Sequence, residues 1–567
     1  MSGHDPLALA DWQRIRRYAV PAWMIAECTA ARERGDWRAA CAAALVDVRI
    51  SEPGPVADLL AGFAPDLLRW HLPRALGGST ELASDKTYVL APDGPVGADT
   101  PVLVARVPAR LPGADPLILE AMPAGEIDGD LIFPVPRYRW DARRAGELGA
   151  LARPPAGPVV DASADDRAAG LEAWAAAGWL FGDDDTDGWQ PRGTSLLGIL
   201  DPLLTIVELR RVTAQFGRRS WAIWADRYQE ELRFWADGEQ PRMTPGWNVS
   251  NPPNPLRVVP CLHPGLLRPP VDLDLVRHGL ISPDALHPLV REALFPRSPA
   301  SAPQPPVPAA PSPAPAPPLS ASPDSAFPAS PRLAVRASQR AASPRPAYPV
   351  ADPGYAGIVP SWFGDEELIR VRCGAGWHQI SVRNGRLGLP AHTDAERQRE
   401  RTLRALGGAS GGCFNTERAW NGAGDGPPPK RLRAYRRDLW LRMRHGGTRT
   451  VLALLDAGMD PYIRDGRGRT LLHRLHGFDH GRLLPRLLSE GLDVNCRDRV
   501  DSIPLFEAVL YRWPADLIIA LTDAGADPRL EVQGRSPLDV LDEIESAGDS
   551  PDDEEWQIVT DHLRERA

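Results

Sequence analysis

A signal that returns every 33 or 34 residues constrains the last quarter of this chain more than any other feature. It reads Leu454-Leu455-Asp456-Ala457-Gly458-Met459-Asp460, then Leu487-Leu488-Ser489-Glu490-Gly491-Leu492-Asp493. It returns more weakly as Ala520-Leu521-Thr522-Asp523-Ala524-Gly525-Ala526-Asp527. A second landmark keeps the same time, at Thr470-Leu471-Leu472-His473, Ile503-Pro504-Leu505-Phe506 and Ser536-Pro537-Leu538-Asp539. Two landmarks on one clock mean small units that bury their apolar faces only against one another.

One unit explains itself. Asp465 to Gly468 offer a turn, and Thr470 can open a helix carrying Leu471, Leu472 and Leu475 on one face. Gly477 to Gly481 break the chain before a second helix with Leu483, Leu484, Leu487 and Leu488, and Gly491 ends it where positive φ is needed. Neither helix is long enough to stand alone. From about residue 432 the chain resembles the ankyrin-repeat family, with units 432–464, 465–497 and 498–530 and a capping unit 531–567. The first unit lacks the opening landmark. The third carries one extra residue near Tyr511-Arg512-Trp513. The last keeps its opening only, followed by an acidic run and a helix over 555–564.

The resemblance implies a protein that binds another protein, with no catalysis at the repeat surface and no cofactor or metal. Recognition by such arrays uses hairpin tips and the concave face of the first helices. Carried over by register, those positions are Arg467, Arg469, Arg474 and Phe478 in the second unit. The third offers Arg499, Ser502, Glu507, Tyr511 and Trp513, and the last Gln533 and Arg535. Aromatic residues and arginine are the types enriched at binding hot spots, although Tyr511 to Trp513 can equally pack the inserted loop.

The expected architecture is multi-domain and mainly α. An α+β N-terminal half of no recognised family (1–297) precedes a disordered linker (298–353) in which 16 of residues 298–349 are proline. A small β-meander with a helix (354–431) then leads into the ankyrin-type α-solenoid (432–567). In the N-terminal half, helices are expected over 22–34, 37–46 (capped by Asp36), 56–76, 164–181, 195–216 and 219–235. Strands are expected near 88–90, 101–107 and 117–119. Asn384-Gly385 predicts a tight hairpin, and Thr393 with Glu396 predicts a capping box opening a helix to about Leu406.

Composition narrows the chemistry. Lys86 and Lys430 are the only lysines, so nearly all of the 65 basic residues are arginine; with the Ala, Gly and Pro load this reads as GC-rich bacterial coding. No phosphate-binding loop of the Gly-Lys-Ser/Thr type exists. A net charge of −9 argues against general nucleic-acid affinity. The six cysteines form no Cys-x-x-Cys pair and read as small buried residues rather than a zinc or disulfide framework. No signal peptide and no apolar run of membrane length stands out, so a cytoplasmic location without membrane contact is expected.

Four constellations have plainer explanations. His473, His476 and His480 have helical ligand spacing, but Gly477 interrupts them and the repeat pattern itself accounts for His473. Asp183 to Gly188 is the first half of a calcium loop, with Thr194 where the closing glutamate belongs. Gly408-Ala409-Ser410-Gly411-Gly412 fits a nucleophile elbow in letters, but a helix precedes it and a loop is expected after it. The basic run 430–444 reads as the solvated face of a capping helix whose apolar stripe is Leu432, Tyr435, Leu439 and Met443. An enzyme or toxin in residues 1–297 targeted by the repeats, and nucleic-acid binding by 430–444, are the rival readings.

Overall fold

The computed structural model describes residues 6–108, 117–127, 131–152, 172–182, 200–223, 232–245 (apart from 237 and 239), 259–296, 367–408 (apart from 375), 411–421, 426–546 and 554–567. The described residues of 1–296 and 357–567 make one compact unit. The proline-rich segment and the Asp183–Gly188 run lie outside the described residues.

A mixed ten-stranded sheet fills the N-terminal part: β1 (Val46–Arg49), β2 (Lys86–Leu90), β3 (Pro101–Val107), β4 (Leu117–Pro123), β5 (Leu131–Pro134), β6 (Leu180–Phe181), β7 (Ser220–Ile223), β8 (Leu232–Trp235), β9 (Arg242–Pro245) and β10 (Val259–Leu262). Its order is β1-β4-β3-β2-β5-β10-β7-β8-β9-β6. Strands β2, β3 and β4 pair antiparallel, while β5 joins β2 and β10 in parallel. Val102, Leu103, Val104 and Ala105 are all fully buried, so β3 is covered on both faces and reads as a continuous apolar run rather than an alternation. The expected strands fall where the sequence places them, and the Trp37–Ala43 helix starts as expected, with the Asp36 carboxylate accepting from Ala39 N at 2.9 Å.

Several expected helices differ. The run 219–235 is not helical where described: Ser220–Ile223 and Leu232–Trp235 are antiparallel strands with Trp221 opposite Phe234. The large side chains Trp221, Ile223, Leu232 and Phe234 stand at alternate positions and are buried, a period-two pattern masked by the helix-forming residues between them. The 56–76 helix is broken into Ala57–Gly62 and Pro65–His71, because Pro65 starts a new helix and Pro73 prevents its continuation. Helix 195–216 begins at Pro202 behind an Asp201 cap. Of 164–181, residues 172–176 are helical and Leu180–Phe181 is a strand.

A helix not foreseen, Pro6–Tyr18, is fixed by charge. Arg16 donates to both oxygens of Asp272 at 2.8 and 3.0 Å and to Trp70 O at 2.5 Å, and the Trp70 indole donates to Asp272 at 3.1 Å. Asp272 is fully buried, so removing either partner strands a charge in the interior.

The C-terminal part begins with a three-stranded meander, β11 (Glu367–Cys373), β12 (Gly376–Arg383) and β13 (Arg386–Gly388). Asn384 (φ 50) and Gly385 (φ 76) form its second turn, the left-handed pair that a two-residue hairpin demands. The Thr393–Glu396 capping box is present, opening helix Asp394–Ala405. A helix, Gly412–Trp420, follows the Gly408–Gly412 run where a loop was expected. Helix Lys430–Asp456 comes next and is kinked at Gly447. Leu432, Leu439 and Met443 on its apolar stripe are buried.

Helical hairpins complete the chain: the 3-10 turn Leu472–Gly477 with His480–Ser489, Pro504–Leu510 with Ala515–Asp523, and Pro537–Ser546 with Glu554–Glu565. Their landmarks share one geometry. Gly458, Gly491 and Gly525 have φ of 91, 90 and 93°. The next residue in each case donates back to the carbonyl of Leu454, Leu487 or Leu521, at 2.8, 3.2 and 3.0 Å. This is the bonding that closes a helix on a left-handed residue, and it explains why leucine and glycine recur together. Leu454, Leu487 and Leu521 are fully buried. Helix Pro504–Leu510 packs against both Leu472–Gly477 and Pro537–Ser546, and Ala515–Asp523 packs against Glu554–Glu565.

The N-terminal part touches helix Lys430–Asp456. Thr80 Oγ1 lies 2.7 Å from His445 Nε2, Arg449 donates to Glu27 at 2.7 Å, and Arg444 pairs with Glu81. Replacing Asp272 with alanine is predicted to cost about 3–5 kcal/mol in equilibrium unfolding of the full chain. Removing the exposed Arg49–Asp47 pair should cost less than about 1 kcal/mol.

Candidate functional site

Helix Lys430–Asp456 presents a second face beside its buried stripe. Arg433, Arg436, Arg437, Trp440, Leu441 and Arg444 stand at helical spacing and form one wall of a cleft of about 540 Å³. The other walls come from Pro427 and Pro428, from the Asp465-Gly466 tip, and from Arg474, Phe478 and Arg499. Six guanidinium groups and one carboxylate line it, in a chain whose net charge is −9. The 430–444 run is therefore not a plain solvated face: part of it walls the cleft, and Arg444 also faces Glu81.

Asp465 organises the tip. Its Oδ1 accepts from Arg467 N at 2.7 Å and Arg469 N at 3.0 Å, while Oδ2 accepts from Arg469 Nε at 3.1 Å and Arg474 Nη2 at 3.0 Å. Burial pushes its carboxyl up, but Arg469 and the backbone N–H groups prevail and hold it below the usual carboxylate range. One unit later Asp498 repeats the arrangement, accepting from Val500 N and Ser502 N at 2.9 Å each. Arg436 is a buried cation that donates to Trp420 O at 3.2 Å and sits 4.7 Å from the Trp420 ring. Burial, with Arg499 nearby, lowers it to about 10.

Of the sequence-predicted contact residues, Arg474, Phe478 and Arg499 line the cleft. Arg467 is exposed at the tip and Arg469 is half-buried against Asp465. Tyr511, Gln533 and Arg535 are exposed elsewhere; the Gln533 amide donates to Val500 O and Arg535 pairs with Glu543. Ser502, Glu507 and Trp513 are buried. The Trp513 ring lies 4.2 Å from that of His476 and packs the inserted loop. Sequence reasoning missed the cleft wall at Arg433, Arg437, Trp440 and Arg444, although their spacing marks one helix face.

The three histidines of the second unit have separate partners. His473 bridges units, with Nδ1 3.1 Å from Thr470 Oγ1 and Nε2 3.1 Å from Ser502 O. His476 packs against Trp513 with the rings inclined at 50°, and His480 faces Asp516 at 3.7 Å. The cysteines need a correction. Cys28, Cys41 and Cys261 are buried as read, but Cys373 and Cys413 converge with His378 and His392, four ligand atoms within 4.8 Å of one another.

A smaller cavity of about 150 Å³ in the N-terminal part is lined by Trp12, Arg16, His71, Arg74, Arg139, His263 and Arg268 among others. Burial holds His71 well below the usual imidazole range. The described lining has no carboxylate or thiol; its titratable groups besides arginine are His71 and His263.

No protein-family model matches the chain. Over 81 residues it is 35% identical to an ankyrin repeat-containing protein of Schizosaccharomyces pombe, a match taking in 14% of this chain and 39% of that protein. The chain thus spans well under half the length of this relative, and the match supports ankyrin repeats in part of the chain. Among the described residues no helix is long and apolar enough to cross a membrane.

Glu507 gives a pH signature. Burial raises its carboxyl from 4.5 to about 7, opposed by Arg469. Between those values the native state keeps a proton that the unfolded chain has lost, so stability declines as pH rises through the window. Glu507→Gln is predicted to be more stable than the wild type well above pH 7, by about 1–3 kcal/mol. The difference should vanish below pH 4.5 in denaturant titrations at the two extremes.

Proposed function

We propose that residues 432–567 are the ankyrin array and that the arginine-lined cleft takes an acidic segment of a partner protein. One observation carries this reading: six guanidinium groups converge with Trp440 and Phe478 on a single concavity beside the hairpin tips. Arginine and aromatic side chains in a recess are what binding hot spots are made of. Of the six, Arg474 pairs with Asp465, Arg444 with Glu81 and Arg437 with Asp438, but Asp465 is the one carboxylate in the lining, so an incoming carboxylate meets a positive excess.

Binding here rests on shape and charge, with the charged contacts setting association rate and specificity. The buried Trp513 and the Asp465-bound Arg469 support the surface from behind. An enzyme in 1–297 would have to draw its acid–base groups from His71 and His263, which line the smaller cavity among arginines. A nucleic-acid ligand would use the same arginines, so the test includes it.

Arg433 and Arg437 are exposed and line the cleft. The double replacement Arg433→Glu and Arg437→Glu in the full chain is predicted to weaken binding of glutamate-rich peptides at least about tenfold, with loss of the salt dependence. Arg401→Glu, on the exposed helix Asp394–Ala405, should bind as wild type. Peptide binding unchanged by the double replacement, or tighter retention on DNA than on any peptide, would contradict the proposal.

A further inference from the structure

Cys373 ends β11 and Gly374 (φ 61) turns the chain, so that β12 returns with His378 opposite Val371. His392 stands in the loop after β13, just before the helix capped by Thr393. Cys413 lies in the first turn of helix Gly412–Trp420. Four segments separated by as many as 20 residues in sequence thus bring two sulfurs and two imidazole nitrogens within 4.8 Å of one another. Cys373 Sγ is 3.7 Å from His392 Nε2, and His378 Nδ1 is 3.0 Å from the same nitrogen.

We infer that Cys373, His378, His392 and Cys413 bind one divalent cation of the zinc type in a closed, structural tetrahedral site. Zn–S bonds of about 2.3 Å and Zn–N bonds of about 2.0–2.1 Å place ligand atoms roughly 3.3–3.8 Å apart in a tetrahedron. The side chains stand close to those separations. An S₂N₂ set selects zinc over the oxygen-preferring magnesium and calcium, and two thiolates with two neutral imidazoles balance a double positive charge. With four protein ligands no position stays open for substrate, so the role is structural.

Two further observations mark the site as built. A Cβ at Gly412 would lie 2.6 Å from both Cα and Sγ of Cys373, so the helix carrying Cys413 can approach β11 only through glycine, which also adopts φ of 56°. The second ring nitrogen of His392 is 3.8 Å from Glu396 Oε2, the oxygen that accepts from Thr393 N at 2.8 Å. A carboxylate behind a ligating histidine fixes the ring so that its inner nitrogen offers a lone pair. The capping box of the next helix doubles as that support.

The site has a structural consequence. The helix that carries Cys413 ends at Trp420, whose indole donates to Gly385 O at 3.1 Å in the β12–β13 turn. That turn covers the start of the helical hairpins: Asn384 Nδ2 donates to Ala457 O at 3.1 Å, and Asp460 N donates to Asn384 O at 2.9 Å. A metal at one end of this module holds the lid at the other.

The test uses the full chain purified without chelator. Elemental analysis should find about one zinc per chain, and exchange with Co(II) should give the visible bands of a tetrahedral ion together with thiolate charge transfer. Cys413→Ser and His392→Gln should each lower bound metal at least about tenfold. Glu396→Gln, which removes no ligand, should weaken metal affinity by about tenfold with the fold intact. Cys28→Ser, buried elsewhere, should keep the full Co(II) spectrum. A metal-free protein without a tetrahedral Co(II) spectrum would overturn the assignment. So would a Cys373–Cys413 disulfide in the purified chain, or a spectrum indifferent to Cys413→Ser.

Discussion

The helical hairpins at the end of this chain depend on side chains that reach across one repeat. Arg464 donates to Arg497 O at 2.7 Å, and Arg497 donates to Glu531 O at 3.1 Å. His473 donates to or accepts from its own unit through Thr470 and reaches Ser502 O in the next. Asn495 Nδ2 caps Gly525 O at 3.1 Å, and Asn384 does the same for Ala457 from outside the array. The arginine and asparagine contacts reach carbonyls at the ends of short helices and at the tips, where intrahelical donors run out. Helices of seven to ten residues cannot persist singly, so these bonds and the leucines beneath them make the units interdependent.

That interdependence also sets what the surface can be. Because Asp465 and Asp498 use their carboxylates on their own tips, the tips are preformed. Arg436 and Arg499 are held by the carbonyls of Trp420 and Gly466. A preordered cleft loses little entropy on binding.

The repeats were legible because one physical device, a helix closed on a left-handed glycine with a buried leucine behind it, recurs at fixed spacing. The hairpin at Asn384-Gly385 and the capping box at Thr393 were legible for the same local reason. Trp221 to Trp235 was not: its strands show their period only at the two ends. Helix Pro6–Tyr18 was missed because its anchor, Asp272, lies 256 residues from Arg16. The cleft could have been read from Arg433, Arg437, Trp440 and Arg444 on one helix face, but which face turns toward the tips is a tertiary fact. Cys373, His378, His392 and Cys413 carry no regular spacing, so only the fold could unite them.

The central claim is that each hairpin is stable only through its neighbours, and native-state hydrogen exchange on the full chain carrying Leu487→Ala tests it most directly. The side chain is fully buried, and its loss should cost about 2–5 kcal/mol. Protection is expected to fall together in residues 448–456, 480–489 and 515–523, while β2, β3 and β4 keep theirs. Loss confined to 480–489, with both neighbouring helices protected as before, would contradict the account.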